Sequence, residues 1–174
     1  KGVDDKLSLR HIVSEIQTVL GVDIQFSKQT IGPEAEAQAK ALQPGQIMLL
    51  ENLRFYDEET KGDEQFANAL SRLADCYIND AFGTAHRAHA STTIVAQFFP
   101  KAKYFGFLLA HEIHAIDRVM STGEKPVLAV LGGAKVSSKI TIIENILDKG
   151  DHLIIGGGMS FTFAKAMGGQ IGNS

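Results

Sequence analysis

The stretch Val127 to Lys139, V-L-A-V-L-G-G-A-K-V-S-S-K, limits the possible fold more than any other part of the chain. Its apolar run Val127 to Leu131 suits a short strand covered on both faces, and Gly132-Gly133 let the backbone turn sharply and come close to a ligand or a neighbouring segment. The spacing predicts a helix beginning near Ser137. Its free N–H groups and positive dipole end would face the strand end together with the charges of Lys135 and Lys139. An anionic ligand fits such a turn, and so does a plain βα turn that uses its glycines only for packing. The string is neither a P-loop nor a dinucleotide fingerprint, because neither G-x-x-x-x-G-K-[ST] nor G-x-G-x-x-G is matched.

The rest of the chain repeats the same alternation. From Leu7 to Leu20 apolar residues fall at Leu9, Ile12, Val13, Ile16 and Leu20, one helix face, and Gly21 is a stop signal. A strand over Val22 to Phe26 follows. Gly32 to Leu42, with Pro33 in its first turn, predicts a helix, Pro44-Gly45 a break, and Ile47 to Leu50 a strand. Asp63 to Leu73 predicts a helix through Phe66, Ala69, Leu70 and Leu73, and Cys76 to Ile78 a strand. Tyr104 to Met120 carries Phe105, Leu108, Leu109, Ile113, Ile116 and Met120 at helical spacing, and the polar Ser121 to Pro126 marks a domain boundary. Beyond the opening stretch come a helix with Ile140, Ile143, Ile146 and Leu147 on one face, a strand from His152 to Ile155, the turn Gly156-Gly157-Gly158, and a helix from Ser160 to Met167. Strands alternating with helices imply an α/β layer fold with parallel sheets and right-handed crossovers.

Ligands of such sheets collect outside the carboxyl ends of the strands. The strand ending at Leu50 runs into Glu51-Asn52-Leu53-Arg54, and the one ending at Ile78 into Asn79-Asp80-Ala81-Phe82-Gly83-Thr84-Ala85-His86-Arg87-Ala88-His89. Two arginines and two histidines are thus expected on one rim, and the planar guanidinium fork suits phosphate or carboxylate oxygens. The bland alternative pairs Arg54 with Glu51 or Asp80 as a structural ion pair. No thiolate stands near His86 and His89, so a metal centre is not expected. His111-Glu112-Ile113-His114 fails the H-E-x-x-H spacing, since position 115 is alanine. A net charge of −3 excludes broad nucleic-acid or acidic-membrane binding, so an anion site must be a local cluster. Cys76 is the sole cysteine, which excludes an internal disulfide and points to a reducing, cytoplasmic setting. No apolar run approaches the roughly 18 residues of a membrane span.

Taken together, L-L-E-N-L-R-F, N-D-A-F-G-T-A-H-R-A-H-A-S-T, L-G-G-A-K-V-S-S-K-I and L-I-I-G-G-G-M-S-F-T-F resemble phosphoglycerate kinase, in the family's order and along essentially the whole chain. The resemblance implies two incomplete domains with Rossmann-like βα units in three layers, joined by a long helix. Residues 1–103 are similar to the back of the N-terminal, 3-phosphoglycerate-binding domain, 104–121 to the inter-domain helix, and 122–174 to the front of the C-terminal, nucleotide-binding domain. The implied reaction is the glycolytic one, reversible phosphoryl transfer between 1,3-bisphosphoglycerate and Mg-ADP giving 3-phosphoglycerate and ATP. Arg54 and Arg87 match the glycerate-binding residues. Lys135 matches the lysine near the moving phosphoryl group, Lys139 the one on the nucleotide phosphates, and Gly132, Gly133, Gly156, Gly157 and Gly158 the nucleotide-side walls. No resident metal is implied, since magnesium comes with ATP or ADP.

The chain departs from the family pattern in instructive ways. The family's Asp-x-Asn pair, catalytic arginine and H-L-G-R-P stretch do not occur here, nor does its G-G-D-S loop. The opening K-G-V-D-D-K, without methionine, is expected to be the middle of a longer protein. Ser138 stands where the family usually has aspartate, which removes a carboxylate beside the nucleotide phosphates. The full-length protein is expected to be a monomer, whereas the 174-residue stretch is expected to be inactive and to self-associate through exposed sheet edges. The competing readings are a non-catalytic phosphate- or nucleotide-binding α/β fragment and a piece that merely associates.

Overall fold

In the computed structural model, described for residues 2–122 and 124–173, the chain forms two compact units, Lys1–Glu112 and Ile113–Ser174. Gly123 of the expected domain boundary lies outside the described residues. So does the side chain of Ser138, on which the expectation of a lost carboxylate rests.

The first unit begins with 3-10 turns at Asp5–Leu7 and Leu9–Ile12, and only then enters α1, Val13–Leu20. A single helix from Leu7 is therefore corrected. The Asp4 carboxylate accepts from Lys6 N and the Ser8 hydroxyl from Arg10 N, so side chains take backbone donors locally and break the helical ladder. Strand β1 (Ile24–Ser27), helix α2 (Pro33–Ala41) and strand β2 (Ile47–Leu50) follow close to the expected bounds. Next come α3 (Asp57–Lys61), which the sequence reading passes over, and α4 (Glu64–Ser71), capped by the Asp63 carboxylate accepting from Phe66 N at 2.8 Å. Strand β3 (Tyr77–Asn79) leads through a turn of π-helix, Ala90–Ile94, to β4 (Lys103–Phe105) and α5 (Phe107–Thr122).

The expected helix from Tyr104 is thus also corrected, because Tyr104 and Phe105 lie in a strand opposite Ile78 and Asn79. Helix α5 starts two residues later, where the Asp80 carboxylate accepts from Leu109 N at 2.9 Å. A three-residue strand is too short to show alternation, and its aromatic residues continue the helical spacing by coincidence.

The second unit takes over α5 from Ile113 and continues with β5 (Leu128–Gly132), a 3-10 turn at Val136–Ser138, α6 (Ile140–Leu147), β6 (His152–Gly156) and α7 (Met159–Ala166). Helix α6 begins at Ile140, not near Ser137, because Lys139 N donates to Val136 O and closes the tighter turn first. At the opposite end of the strands, Asp151 accepts from Val127 N at 2.7 Å and from Lys125 Nζ at 3.0 Å, aligning the starts of β5 and β6. Those bonds, the backbone one foremost, hold its carboxyl below the usual aspartate value.

The strands pair as β1 with β2, β3 with β4 and β5 with β6, every pair parallel. The α/β reading with parallel sheets holds. The expectation that β5 is covered on both faces does not, since Val130 is 67% exposed while Ala129 and Leu131 are half-buried. A sheet of two strands buries little, and the buried apolar residues beyond Thr122 are Ile143 of α6 and Met159 of α7 among the described residues.

A buried apolar cluster lies in the first unit, where Phe66 and Ala67 of α4 meet Ala90, Val95 and Phe99. The Tyr56 ring stands 5.3 Å from Phe66, and that of Tyr77 stacks 6.1 Å from Phe99. The segment carrying His86, Arg87 and His89 is therefore anchored at its far end by the core. Phe66→Ala should lower the stability of the first unit by about 3–5 kcal/mol through lost contact and a residual cavity, read from the urea midpoint followed by far-UV circular dichroism.

Candidate functional site

In the first unit, a cleft of about 440 Å³ opens beyond the carboxyl end of β2, lined by Leu50, Glu51, Arg54, Glu59, Thr84 and His89 among others. Strand β2 delivers the chain into it. The Asn52 side chain accepts from Arg54 N at 3.0 Å, which folds Leu53–Phe55 into a 3-10 turn, buries Phe55 and leaves Arg54 half-buried on the cleft wall. Among the described residues, the Arg54 guanidinium makes no ion pair. Glu51 instead accepts from Ser8 Oγ at 2.6 Å, Leu9 N at 2.9 Å and Asn52 N at 2.7 Å, and Asp80 caps α5. Neither acid pairs with Arg54, so the bland alternative of a structural ion pair is not the arrangement observed.

Arg87 behaves differently. It is exposed, its Nε donates to His86 Nε2 at 3.2 Å, and it is not part of the cleft lining. The structure thus brings Arg54 and His89 into one cleft and leaves Arg87 and His86 bonded to each other on the surface. Glu59, missed by sequence reading, is buried in the cleft wall. No local signal separates it from exposed Asp57 and Glu58, since extended Tyr56 interrupts any helical spacing from buried Phe55.

In the second unit, Gly132 at the end of β5 lies in register with Gly156 at the end of β6, so the two glycine turns sit side by side. They pack closely. A Cβ on Gly157, whose φ is +65°, would lie 3.1 Å from Gly133 N and O, and one on Gly158 would lie 3.3 Å from Ala134 O. Met159 N donates to Gly133 O at 2.9 Å, tying the start of α7 to the neighbouring turn. A Cβ on Gly133 would meet Lys139 Cε at 2.9 Å, so the Lys139 side chain lies across that glycine. Lys139 is half-buried at the N-cap of α6, without a side-chain capping bond, and Lys135 is exposed at the N-cap of the preceding 3-10 turn. By contrast, the nearest atoms to a Cβ on Gly132 or Gly156 are 4.0 Å away. Packing against backbone thus restricts residues 157, where the positive φ adds strain, and 158, whereas at 133 only the flexible end of Lys139 stands in the way and at 132 and 156 there is room. No group of three or more His, Cys, Asp or Glu that could hold a metal ion occurs among the described residues.

A sequence profile of phosphoglycerate kinase matches residues 1–174. The chain belongs to the phosphoglycerate kinase family. It is 51% identical over 172 residues to the phosphoglycerate kinase of Moorella thermoacetica, covering 99% of this chain and 43% of that protein. Identity to the Porphyromonas gingivalis phosphoglycerate kinase is 46% over 198 aligned residues, covering all of this chain and 47% of the relative. Among solved structures, the Coxiella burnetii phosphoglycerate kinase superposes with a TM-score of 0.81 at 38% identity, over 99% of this chain and 42% of that one. The chain therefore spans somewhat less than half the length of the phosphoglycerate kinases it matches.

Glu51 gives the cleft a measurable signature. Burial pushes its pKa up, but the bonds from Ser8, Asn52 and Leu9 outweigh this and hold it below the ordinary glutamate value of 4.5. A depressed folded-state pKa contributes stability that is present above about pH 4.5 and is lost as pH falls through the lower folded value. Glu51→Gln should therefore destabilise the first unit at neutral pH, with the difference from the parent shrinking below that pH, as read from urea midpoints across an acid series.

Proposed function

We propose that the protein carries out reversible phosphoryl transfer between 1,3-bisphosphoglycerate and Mg-ADP, giving 3-phosphoglycerate and ATP, and that these 174 residues hold one part of each substrate's site. Within that reading, residues 1–103 belong to the phosphoglycerate domain, 104–121, helical from Phe107 onward, to the connector and 122–174 to the nucleotide domain. Arg54 and Arg87 bind the glycerate ligand's anionic groups. Lys139 and the turns at Gly132-Gly133 and Gly156 to Gly158 take the nucleotide phosphates, and Lys135 meets the moving phosphoryl group. The observation that carries this is the register of Gly132 with Gly156, with Lys139 across Gly133, within a chain matched by the family along its whole length.

In the reaction, the bond between the acyl oxygen and phosphorus breaks as a bond from a β-phosphate oxygen of ADP to the same phosphorus forms. No covalent enzyme intermediate is required. The transition state spreads charge over the equatorial oxygens, so catalysis rests on alignment and neutralisation, which lysines, arginines and a helix start supply. The lysines and helix α6 are therefore matched to the task without any nucleophile. Magnesium enters as part of the nucleotide substrate. The exposed lone Cys76 fits a reducing, cytoplasmic setting.

By themselves, the 174 residues are proposed to lack turnover, because reactant alignment needs both sites complete. Bare apolar positions such as Val130 and Phe107, the latter 96% exposed, favour self-association of the isolated stretch. A coupled assay for ATP formation and light scattering on the 174-residue polypeptide check both statements. Turnover near that of the full-length protein, or a dilute monomer, would overturn them.

In the full-length protein, Arg87→Glu should raise the KM for 3-phosphoglycerate by a factor of about 10 or more through charge reversal at a binding group; an unchanged KM would remove Arg87 from the site. Lys135→Ala should lower kcat by roughly three powers of ten with ADP affinity nearly intact, because its contact is made chiefly in the transition state. Lys139→Ala should weaken ADP binding. Nucleotide titration alongside steady-state kinetics separates the two lysines, and a collapse of ADP affinity with kcat preserved in Lys135→Ala would reverse their roles.

A further inference from the structure

Glu59 is the least expected group in the cleft. Its residue is only 2% exposed, yet it carries a carboxylate within the wall that holds Arg54. Burying a charge without full compensation is costly, and an apolar side chain of similar volume would pack the same place at lower cost. What Glu59 does there is specific. Its Oε2 accepts from Ser91 N at 3.0 Å and its Oε1 from Ser91 Oγ at 2.7 Å, while His89 Nδ1 stands 3.8 Å from Oε1. That Nδ1 is buried and has no hydrogen-bond partner, and the carboxylate is the polar group it faces.

From Ser91 the constraint passes back along the chain to Arg87. The Thr92 and Thr93 hydroxyls both donate to Arg87 O, at 2.7 and 3.4 Å, and the amides of Thr92, Thr93 and Ile94 all converge on His89 O. This is a π-helical turn, wider than an α-turn, rare overall and frequently found at functional sites. Helix α3 grips the segment at a second point. Gly62, which closes α3 with φ +68°, lies so near that a Cβ there would be 2.6 Å from Ala88 O. Tyr77 holds the far side through its hydroxyl, which donates to Ser91 O and Thr92 O. Burial first, and the Glu59 charge as a smaller contribution, push that hydroxyl's pKa upward and keep it a donor.

We infer that Glu59 is a positioning residue for the phosphoglycerate side of the reaction, its buried carboxylate fixing through Ser91 the turn that presents Arg87 and orienting His89 in the cleft beside Arg54. The inference rests on the phosphoglycerate reading proposed above. The carboxylate is not itself a ligand for the substrate, which it would repel.

The test uses the full-length protein and three readouts: KM for 3-phosphoglycerate, KM for ATP, and the urea midpoint. Glu59→Gln keeps the shape but sets an amide N–H against the Ser91 donors, and it should raise the KM for 3-phosphoglycerate about tenfold while moving the KM for ATP less than about twofold. Ser91→Ala, which removes one bond and keeps the backbone one, should shift the same KM in the same direction by a smaller factor and covers the case in which Glu59→Gln fails to fold. An unchanged KM for 3-phosphoglycerate in a folded variant overturns the inference. So does a parallel rise in both KM values with a fall in the urea midpoint, the mark of a merely structural role. If the unsubstituted protein itself shows no turnover with 3-phosphoglycerate and ATP, the proposed reaction fails and the positioning claim with it, whereas an unchanged KM in an active variant overturns the positioning claim alone, so the two failures are distinguishable.

Discussion

Parallel pairing of every strand is the constraint on which the rest of the structure depends. A parallel pair places both carboxyl ends at one edge, and each chain must leave that edge by a turn that satisfies its own backbone donors and acceptors. The two units solve this differently. At the ends of β5 and β6, glycines let the turns touch directly, Gly157 against Gly133 and Met159 N on Gly133 O. At the ends of β2 and β3 carboxylates reach across instead, those of Glu51 and Glu59 buried and that of Asp80 exposed. Glu51 binds the chain near Ser8, Asp80 the start of α5, and Glu59 the turn at Ser91.

That difference explains what was legible in the sequence. Glycine pairs after apolar runs announce backbone contact at the level of local composition, so the turns at Gly132-Gly133 and Gly156 to Gly158 could be read directly, as could β2 and α4. A carboxylate that binds a backbone dozens of residues away leaves no local trace. In Asp57-Glu58-Glu59 three acids look alike, and only tertiary packing decides that Glu59 is buried while its neighbours are exposed. The same limit applies to β4, whose three residues pair across the sheet with β3 and are hidden inside a helical spacing. Expected burial on both faces of β5 failed for another reason. An apolar run records what a strand is built to meet, and the two-stranded sheet formed by these 174 residues leaves one face open.

A rim proposed to bind anions contains three acids, which at first sight argues against the proposal. The hydrogen bonds resolve the conflict. Each acid accepts from backbone N–H groups: Glu51 from Leu9 and Asn52, Glu59 from Ser91, and Asp80 from Leu109. Carboxylate oxygens that accept from backbone amides are engaged by those amides, as the depressed pKa of Glu51 reflects, and Arg54 forms no ion pair among the described residues. The backbone thus disposes of the negative charges that shape the rim, and the positive fork on the cleft wall keeps its capacity for a ligand's oxygens.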